Sequence, residues 1–361
     1  MPDPVHTPLP PLCRILPNRV WRTYPGGRRL DELAGTVPAE DSHFPEDWLL
    51  SDTAAVSPGR AREGGARLEF DGKAIAFTEL VRRNPEFLLG REHLERFGEK
   101  AAFLLKFLDS AVRLQLQCHP TIEFSRKHLN ANAGKTEGYV ILGHREGIEP
   151  RLYLGFQHPV SRERFKRIVE TQDFEEMLRL LEPVPVKTGD VFLVPGGVPH
   201  AIGAGIFMIE IMEPTDFVSR FEFRRDGCTL PEAARGRGRD IDFGLSMLDF
   251  TVYSPQEVKE RFFRQPRLAE ERDGSRRWTL FGPEDTPGFR ADRLHVAGRM
   301  EIAERSFSVL IVTGGAGTIR AGGMELDLKY ADRILIPSGT RRAELSGNGL
   351  DAVLVRPPAA R

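Results

Sequence analysis

The sequence predicts a mainly β protein made of tandem β-sandwich or jelly-roll units with helical insertions. Three observations lead there. From Ala102 onward the apolar runs are strand-sized and are separated by turns rich in Gly and Pro. Helical periodicity is confined to a few short segments. A stretch near residue 190 also has a second copy near residue 332, so one β-unit occurs twice.

The elements follow in order. Residues 1 to 20 hold six prolines and read as an extended arm. A turn-rich region runs from Pro25-Gly26-Gly27 to about Gly65, with Trp48 to Ser51 as a short strand inside it. Between Phe77 and Phe107 the pattern turns helical. Phe87, Leu88, His93, Leu94 and Phe97 recur at helical spacing, and Asn84-Pro85 marks a helix boundary. Strands are expected over Phe103 to Leu108, Arg113 to His119, Glu137 to Leu142 and Leu152 to Phe156. An amphipathic helical segment, Ser161 to Leu181, interrupts them. Strands resume at Val184 and run through His200 to Phe223.

This organisation divides the chain into residues 1–227 as a metal-binding catalytic unit, 228–266 as a linker with helical character, and 267–361 as a second β-unit without a metal site. In the repeat, Asp190, an apolar run and Pro195 keep register with Asp332, an apolar run and Pro337. His200 of the first copy becomes Arg342 in the second.

Composition narrows the functional classes. The chain has 361 residues and a net charge of -1, with 29% charged and 40% hydrophobic residues. That balance is ordinary for a globular protein and gives no global field for nucleic acid or an anionic membrane. Arg-rich stretches at Arg60 to Arg67 and Arg235 to Arg239 read as solvated loops. Three cysteines, Cys13, Cys118 and Cys228, fit neither a zinc knuckle nor a redox pair, and the odd count argues against a disulfide scaffold. There is no signal-like N-terminal segment and no run of 18 apolar residues. The expectation is a cytoplasmic protein with a small-molecule partner, no nucleic acid and no membrane. Oligomeric state is not set by the sequence.

The chemistry concentrates in Gln117-Cys118-His119-Pro120, Glu137 and His200. In a strand, side chains i and i+2 lie on one face, so Gln117 and His119 point together and Cys118 packs on the other side. Two imidazoles, a carboxylate and an amide oxygen suit a borderline divalent ion such as zinc. His128, His144 and His158 fall in segments that read as loops or turns and are given no role.

The spacing of Gly189, Pro195 and His200 resembles the second motif of cupins, which makes the β-units cupin-like. Gln117 in place of the usual first histidine, with Pro120 and Gly134 to Tyr139 beyond it, resembles the type I phosphomannose isomerases. Arg19 to Leu30, Glu46 to Ser51, Asn84-Pro85-Glu86, Leu104 to Asp109 and Val194 to Gly203 match that family's segments in order.

The resemblance implies one zinc per chain, held by Gln117, His119, Glu137 and His200, with other divalent metals as possible substitutes. It implies interconversion of mannose 6-phosphate and fructose 6-phosphate through an enediol. Arg220 matches the family's active-site Arg, and Lys106 matches a family Lys. Lys135 lies two residues before Glu137 and is the best lysine for proton transfer. Arg220 and Lys135 are the catalytic candidates; Lys106 and Gln115 are the substrate-binding ones. Gln115 stands where the family has a phosphate-holding Ser, and Glu213 stands where it has Gln. These departures keep open an isomerase of another or a non-phosphorylated sugar. A non-catalytic sugar-binding cupin is the alternative from a different class.

Overall fold

A computed structural model describes residues 9–57, 59–61, 63–225, 228–236 and 238–359. The first eight residues of the expected arm and the junction at 226–227 lie outside the described residues. Three antiparallel sheets carry the architecture. The six-stranded sheet runs in the order Val191–Val194, Glu137–His144, Ile206–Met212, Leu104–Asp109, Glu46–Leu50 and Arg19–Val20. The five-stranded sheet has the order Pro183–Pro185, Arg151–Leu154, His200–Ile202, Gln117–Cys118 and Ser219–Arg220. The third sheet has eleven strands and gathers Arg267–Arg272 through Arg342–Arg356. It is extended by Cys13–Leu16, which pairs with Arg333–Ile336 on one side and Arg67–Phe70 on the other.

The six-stranded sheet is the middle layer, and its strands show how one sequence serves two cores. Every residue of Ile206–Met212 is buried. Alternate residues Phe207, Ile209 and Ile211 pack with Leu105, Phe107 and Val140 against Phe281, Ile311 and Val353 of the eleven-stranded sheet and against Phe289 just before its strand Arg290–Ala303. The other parity, including Met208, Leu108 and Tyr139, faces Leu152 and Leu154 of the five-stranded sheet. A strand covered on both faces reads as a continuous apolar run, which explains why simple alternation is missing there. On the outer side of the five-stranded sheet, Leu116 and Cys118 pack with Phe165, Val169 and Phe221. The amphipathic segment supplies that cover as two helices, Arg162–Thr171 and Phe174–Arg179.

The helical stretch after Phe77 is three short helices: Phe77–Arg83, Pro85–Leu89 and Arg91–Phe97. Asn84 caps the second by accepting from Phe87 N–H, with Pro85 in the first turn. The expected strand Arg113 to His119 shortens to Gln117–Cys118. His128 ends a helix, Ile122–His128, rather than a loop.

The repeat has a structural counterpart. Gly189 and Ala331 both take positive φ (92° and 65°). Asp190 then accepts from Lys187 N–H at 2.9 Å, and Asp332 accepts from Lys329 N–H at 3.0 Å. Each turn launches a short strand, Val191–Val194 or Arg333–Ile336, that ends at a proline. The next strands open at His200 and Arg342. His200 is buried, whereas Arg342 is exposed.

The contact between the middle sheet and the eleven-stranded sheet is tight at Gly138. A Cβ there would lie 2.8 Å from the Phe281 ring and 2.9 Å from the Phe289 ring, and both rings are fully buried. Gly138→Val is expected to destabilise the protein by about 1–3 kcal/mol through overpacking. Urea denaturation should show a lower midpoint, and an unchanged midpoint would contradict the packing described.

Candidate metal centre

Cross-strand register assembles the site between two facing sheets. In the five-stranded sheet, Gln117 is directly opposite His200 on one neighbour and Arg220 on the other. Directly opposed residues share a face, so these three side chains project together. In the six-stranded sheet, Tyr139, Glu210, Lys106 and Trp48 form one row across four strands. Glu137 and Glu46 lie two residues before Tyr139 and Trp48, on the same face. The two sets meet.

The turn preceding His200 depends on its glycines. A Cβ on Gly196 would meet Pro120 O at 2.4 Å, so only glycine lets this loop lie against the main chain beside His119. Gly197 takes φ +89° and donates its N–H to His119 O at 2.7 Å. The Val194-Pro195-Gly196-Gly197 motif thus ties the His200 loop to the His119 strand.

His119, Glu137 and His200 are fully buried and place their ligand atoms within 4.8 Å of one another. His119 Nδ1–H donates to Phe217 O at 2.8 Å, and His200 Nδ1–H donates to Val198 O at 2.9 Å. Each carbonyl fixes its tautomer and leaves Nε2 as a lone pair. Those lone pairs face a carboxylate: His119 Nε2 is 3.1 Å from Glu137 Oε1, and His200 Nε2 is 3.4 Å from Glu137 Oε2. Burial and then Lys135 push His119 down to about 3, so it is neutral at physiological pH. Burial opposes the Glu137 charge, yet the Lys135 ammonium beside it helps hold its carboxyl well below the usual carboxylate range. Three electron-pair donors thus converge on one buried point. This arrangement fits a divalent cation bound by nitrogen and oxygen.

Gln117 Nε2 lies 3.3 Å from His200 Nε2. A half-turn of the amide presents its oxygen to the same point. Lys135 Nζ lies 3.2 Å from His119 Nε2 and 3.1 Å from Glu137 Oε1, at the edge of the group. Cys118 faces away into the outer core, where burial pushes its thiol up.

A charged wall surrounds this group. Glu46 accepts from Tyr24 Oη at 2.5 Å, Trp48 Nε1 at 2.8 Å, Lys106 Nζ at 3.0 Å and Arg22 Nε at 3.1 Å. Burial opposes the Glu46 charge, but Arg22 and Lys106 hold it down at about 2. Arg22 also grips Asp216 with both terminal nitrogens, at 2.8 and 3.3 Å. Lys106 reaches Glu210 at 2.9 Å, yet burial still raises Glu210 to about 8. Arg220 donates to Ala234 O at 2.7 Å. It has no carboxylate at ion-pair distance among the described residues. Burial and Arg22 draw it down to about 10, so it keeps its charge.

These groups line a narrow cavity of about 20 Å³ that also receives Gln115, Gln117 and Lys135. Gln115 is 8% exposed, and among the described residues its amide makes no hydrogen bond. Glu213 does not line the cavity and instead accepts from Thr136 N–H at 2.9 Å. Residue-type reasoning missed Arg22, Tyr24 and Asp216 and gave Glu46 and Glu210 no role. A charge flanked on both sides by apolar strand residues, Glu210 in Ile206–Met212 or Lys106 between Leu105 and Phe107, is the signal that marks such residues.

Glu46 generates a prediction with a definite sign. Its folded-state pKa lies below its ordinary value of 4.5. Its stabilising contribution is therefore present above pH 4.5 and is lost as pH falls toward 2. Glu46→Gln should destabilise the protein by about 3–5 kcal/mol at pH 7, because it breaks a buried ion-pair network. Urea unfolding should show the gap between variant and parent narrowing from pH 5 to about pH 3. A gap that does not change with pH would contradict the pairing.

Known proteins bear on the site. The probable mannose-6-phosphate isomerase GmuF of Bacillus subtilis (strain 168) is 34% identical over 253 residues, covering 69% of this chain and 74% of that protein. The mannose-6-phosphate isomerase of Streptococcus mutans serotype c is 26% identical over 345 residues, covering 92% and 93%. No family model matches the chain. The solved mannose 6-phosphate isomerase from Bacillus subtilis has a TM-score of 0.74 at 19% identity, covering 96% of this chain and all of that one. A mannose 6-phosphate isomerase structure bound with zinc and yttrium has a TM-score of 0.70 at 16% identity, covering 97% of this chain and all of that one. Taken with the ordered motifs, the sequence likeness to GmuF shows that the chain belongs to the mannose-6-phosphate isomerase family and is an isomerase.

Proposed function

We propose that the chain interconverts mannose 6-phosphate and fructose 6-phosphate through an enediol, and that it depends on one divalent metal, zinc in the first place. The observation that carries this reading is the buried group His119, Glu137 and His200, with Gln117 beside it. A related structure bound with zinc supports the choice of metal. Charge accounting supports the phosphosugar. Arg22, Lys106, Lys135 and Arg220 face Glu46, Glu137, Glu210 and Asp216. Among the described residues these four cations face four carboxylates, of which Glu210 holds a proton near neutrality, so a bound divalent ion adds to an excess of positive charge away from water. A phosphate dianion offsets that excess, whereas a free sugar leaves it uncompensated.

When bound, the metal supplies Lewis-acid polarisation of sugar oxygens. The other roles belong to side chains. His119, His200, Glu137 and Gln117 hold the ion. Isomerisation moves a proton between C1 and C2, which requires a group that can take and return it. Lys135 lies at the edge of the metal group, and Glu210, raised to about 8 by burial, also holds a proton near neutrality. Arg220 offsets the negative charge that develops on the enediol oxygens. Lys106 and Gln115 line the same cavity and bind sugar oxygens.

In this reading residues 1–227 carry the chemistry, 228–266 form a linker, and 267–361 form a cupin-like unit of structural purpose. We also place the protein in the cytoplasm. No helix among the described residues is long and apolar enough to cross a membrane.

Purified, metal-loaded protein should convert mannose 6-phosphate to fructose 6-phosphate in a coupled assay. Chelation should lower the rate by at least about 100-fold, and zinc should restore it. His200→Ala should lose both the metal and the activity. No turnover of either phosphosugar would sink the substrate claim, and full metal content in His200→Ala would sink the ligand assignment.

A further inference from the structure

A cluster in the second β-unit holds more arginines than carboxylates. Arg356 bridges Asp292 at 2.6 Å and Glu304 at 2.7 Å. Arg277 reaches the same two groups at 4.0 and 3.9 Å. Arg290 adjoins them, and among the described residues it has no carboxylate at ion-pair distance. Burial and then the Arg356 charge draw its guanidinium below the ordinary arginine value. Three guanidinium groups share two carboxylates. One positive charge is therefore left over in a partly desolvated place, which is costly without a counter-ion.

Arg290 lines a cavity of about 290 Å³ between the helix Arg91–Phe97 and the turn that follows Ala303. Its guanidinium donates from Nε to Pro357 O at 3.0 Å and from one terminal nitrogen to Ser306 Oγ at 3.1 Å. Two of its five N–H donors are thus used and three remain. Ser306 accepts in that bond, so its own O–H is left to donate. The other charges in the lining do not cancel Arg290. Glu304 is already held by Arg356, and Glu92 and Arg305, both exposed, offset one another. His93 forms a neutral wall, because burial pushes its imidazole below the ordinary histidine value. Leu89, Phe97, Pro357 and Pro358 make the rest of the lining apolar.

The cavity is separate from the metal group. Leu89 belongs to the core between the middle and eleven-stranded sheets, as does Phe307, whose ring meets His93 edge-on with centroids 5.1 Å apart. The metal group lies on the other face of the middle sheet, and its cavity shares no lining residue with this one.

We infer that this cavity is a second ligand site, for a small organic carboxylate with an apolar body, held by Arg290 and Ser306. A carboxylate matches the fork of a guanidinium with charge-assisted hydrogen bonds. One surplus positive charge suits a monoanion, and the Phe97, Pro357 and Pro358 walls suit an apolar body. The volume is near the lower end for small-molecule sites, which sets the ligand at about the size of one ring. The site stands whichever sugar is isomerised at the metal group.

Benzoate is the probe, and benzamide is its neutral counterpart. Each is titrated calorimetrically into the zinc-loaded protein, with and without mannose 6-phosphate. Benzoate should bind with a dissociation constant of about 1 mM or tighter, and benzamide at least about tenfold more weakly. Two variants locate the site. Arg290→Gln removes the surplus charge without stripping a carboxylate of its partner. Ala303→Glu puts a carboxylate at an exposed position on the cavity wall. Each should weaken benzoate binding by about tenfold or more, while kcat and KM for the sugar stay at the parent's values. If parent and both variants bind benzoate equally well, the site is overturned. Displacement of benzoate by mannose 6-phosphate overturns it too, because the probe then occupies the metal-side cavity. Benzamide bound as tightly as benzoate, or no benzoate binding by the parent, likewise overturns it.

Discussion

Burying charge is the constraint on which the rest of this structure depends. Arg22, Glu46, Lys106, Lys135, Glu137, Glu210 and Asp216 are all at most 7% exposed, between two sheets whose remaining facing residues are largely apolar. An isolated ion in that environment is prohibitively costly, so each must have a partner at hydrogen-bond distance. The partners come from distant parts of the chain. Glu46 lies on one strand, Lys106 on the next and Glu210 on the one after, while Arg22 reaches across to Asp216. The network closes only when the middle sheet is in its observed register. A slip of one residue would turn the charged row into the apolar core on the other face.

The same constraint separates the functional face from the structural one. The middle sheet sends Leu105, Phe107, Ile209 and Ile211 into the core against the eleven-stranded sheet, and Lys106 and Glu210 toward the metal group. Chemistry and stability thus occupy alternate residues of the same strands. Glycines complete the separation where main chains must touch: Gly196 against Pro120, and Gly138 against the Phe281 and Phe289 rings. The C-terminal copy of the turn keeps the Asp and Pro that shape it. It lacks the histidine, which fits a unit that braces the middle sheet.

Much of this was legible in the sequence because it rests on local patterns. Gln117 and His119 are two residues apart on one strand, and the Pro195-Gly196-Gly197 turn announces His200. The structure brings Gln117, His119, Glu137, His200 and Lys135 to one point, with Arg220, Lys106 and Gln115 lining the adjoining cavity. Roles that depend on cross-strand register were not legible. Glu210 and Glu46 matter through what lies opposite them, and spacing along the chain does not reveal that. Arg22 and Tyr24 fall between the Pro-rich arm and the turn-rich region, and Asp216 falls in the strand-rich stretch that ends at Phe223; neither local pattern marks a charged partner. Glu213 looked like an acidic neighbour of the pocket, yet it turns to the main chain of Thr136. The strand at Gln117 is also shorter than its alternation suggested, because Leu114 and Leu116 find their packing without a continuous ladder.

The central claim is that a divalent metal sits among His119, His200, Glu137 and Gln117. X-ray absorption at the zinc edge of the loaded protein tests it most directly. The account predicts a shell of nitrogen and oxygen only, at about 2.0–2.2 Å, with the outer-shell scattering of two imidazoles. Cys118, next in sequence to two of the ligands, faces the opposite core and contributes nothing. A sulfur scatterer near 2.3 Å, or a shell with fewer than two imidazoles, would contradict the account.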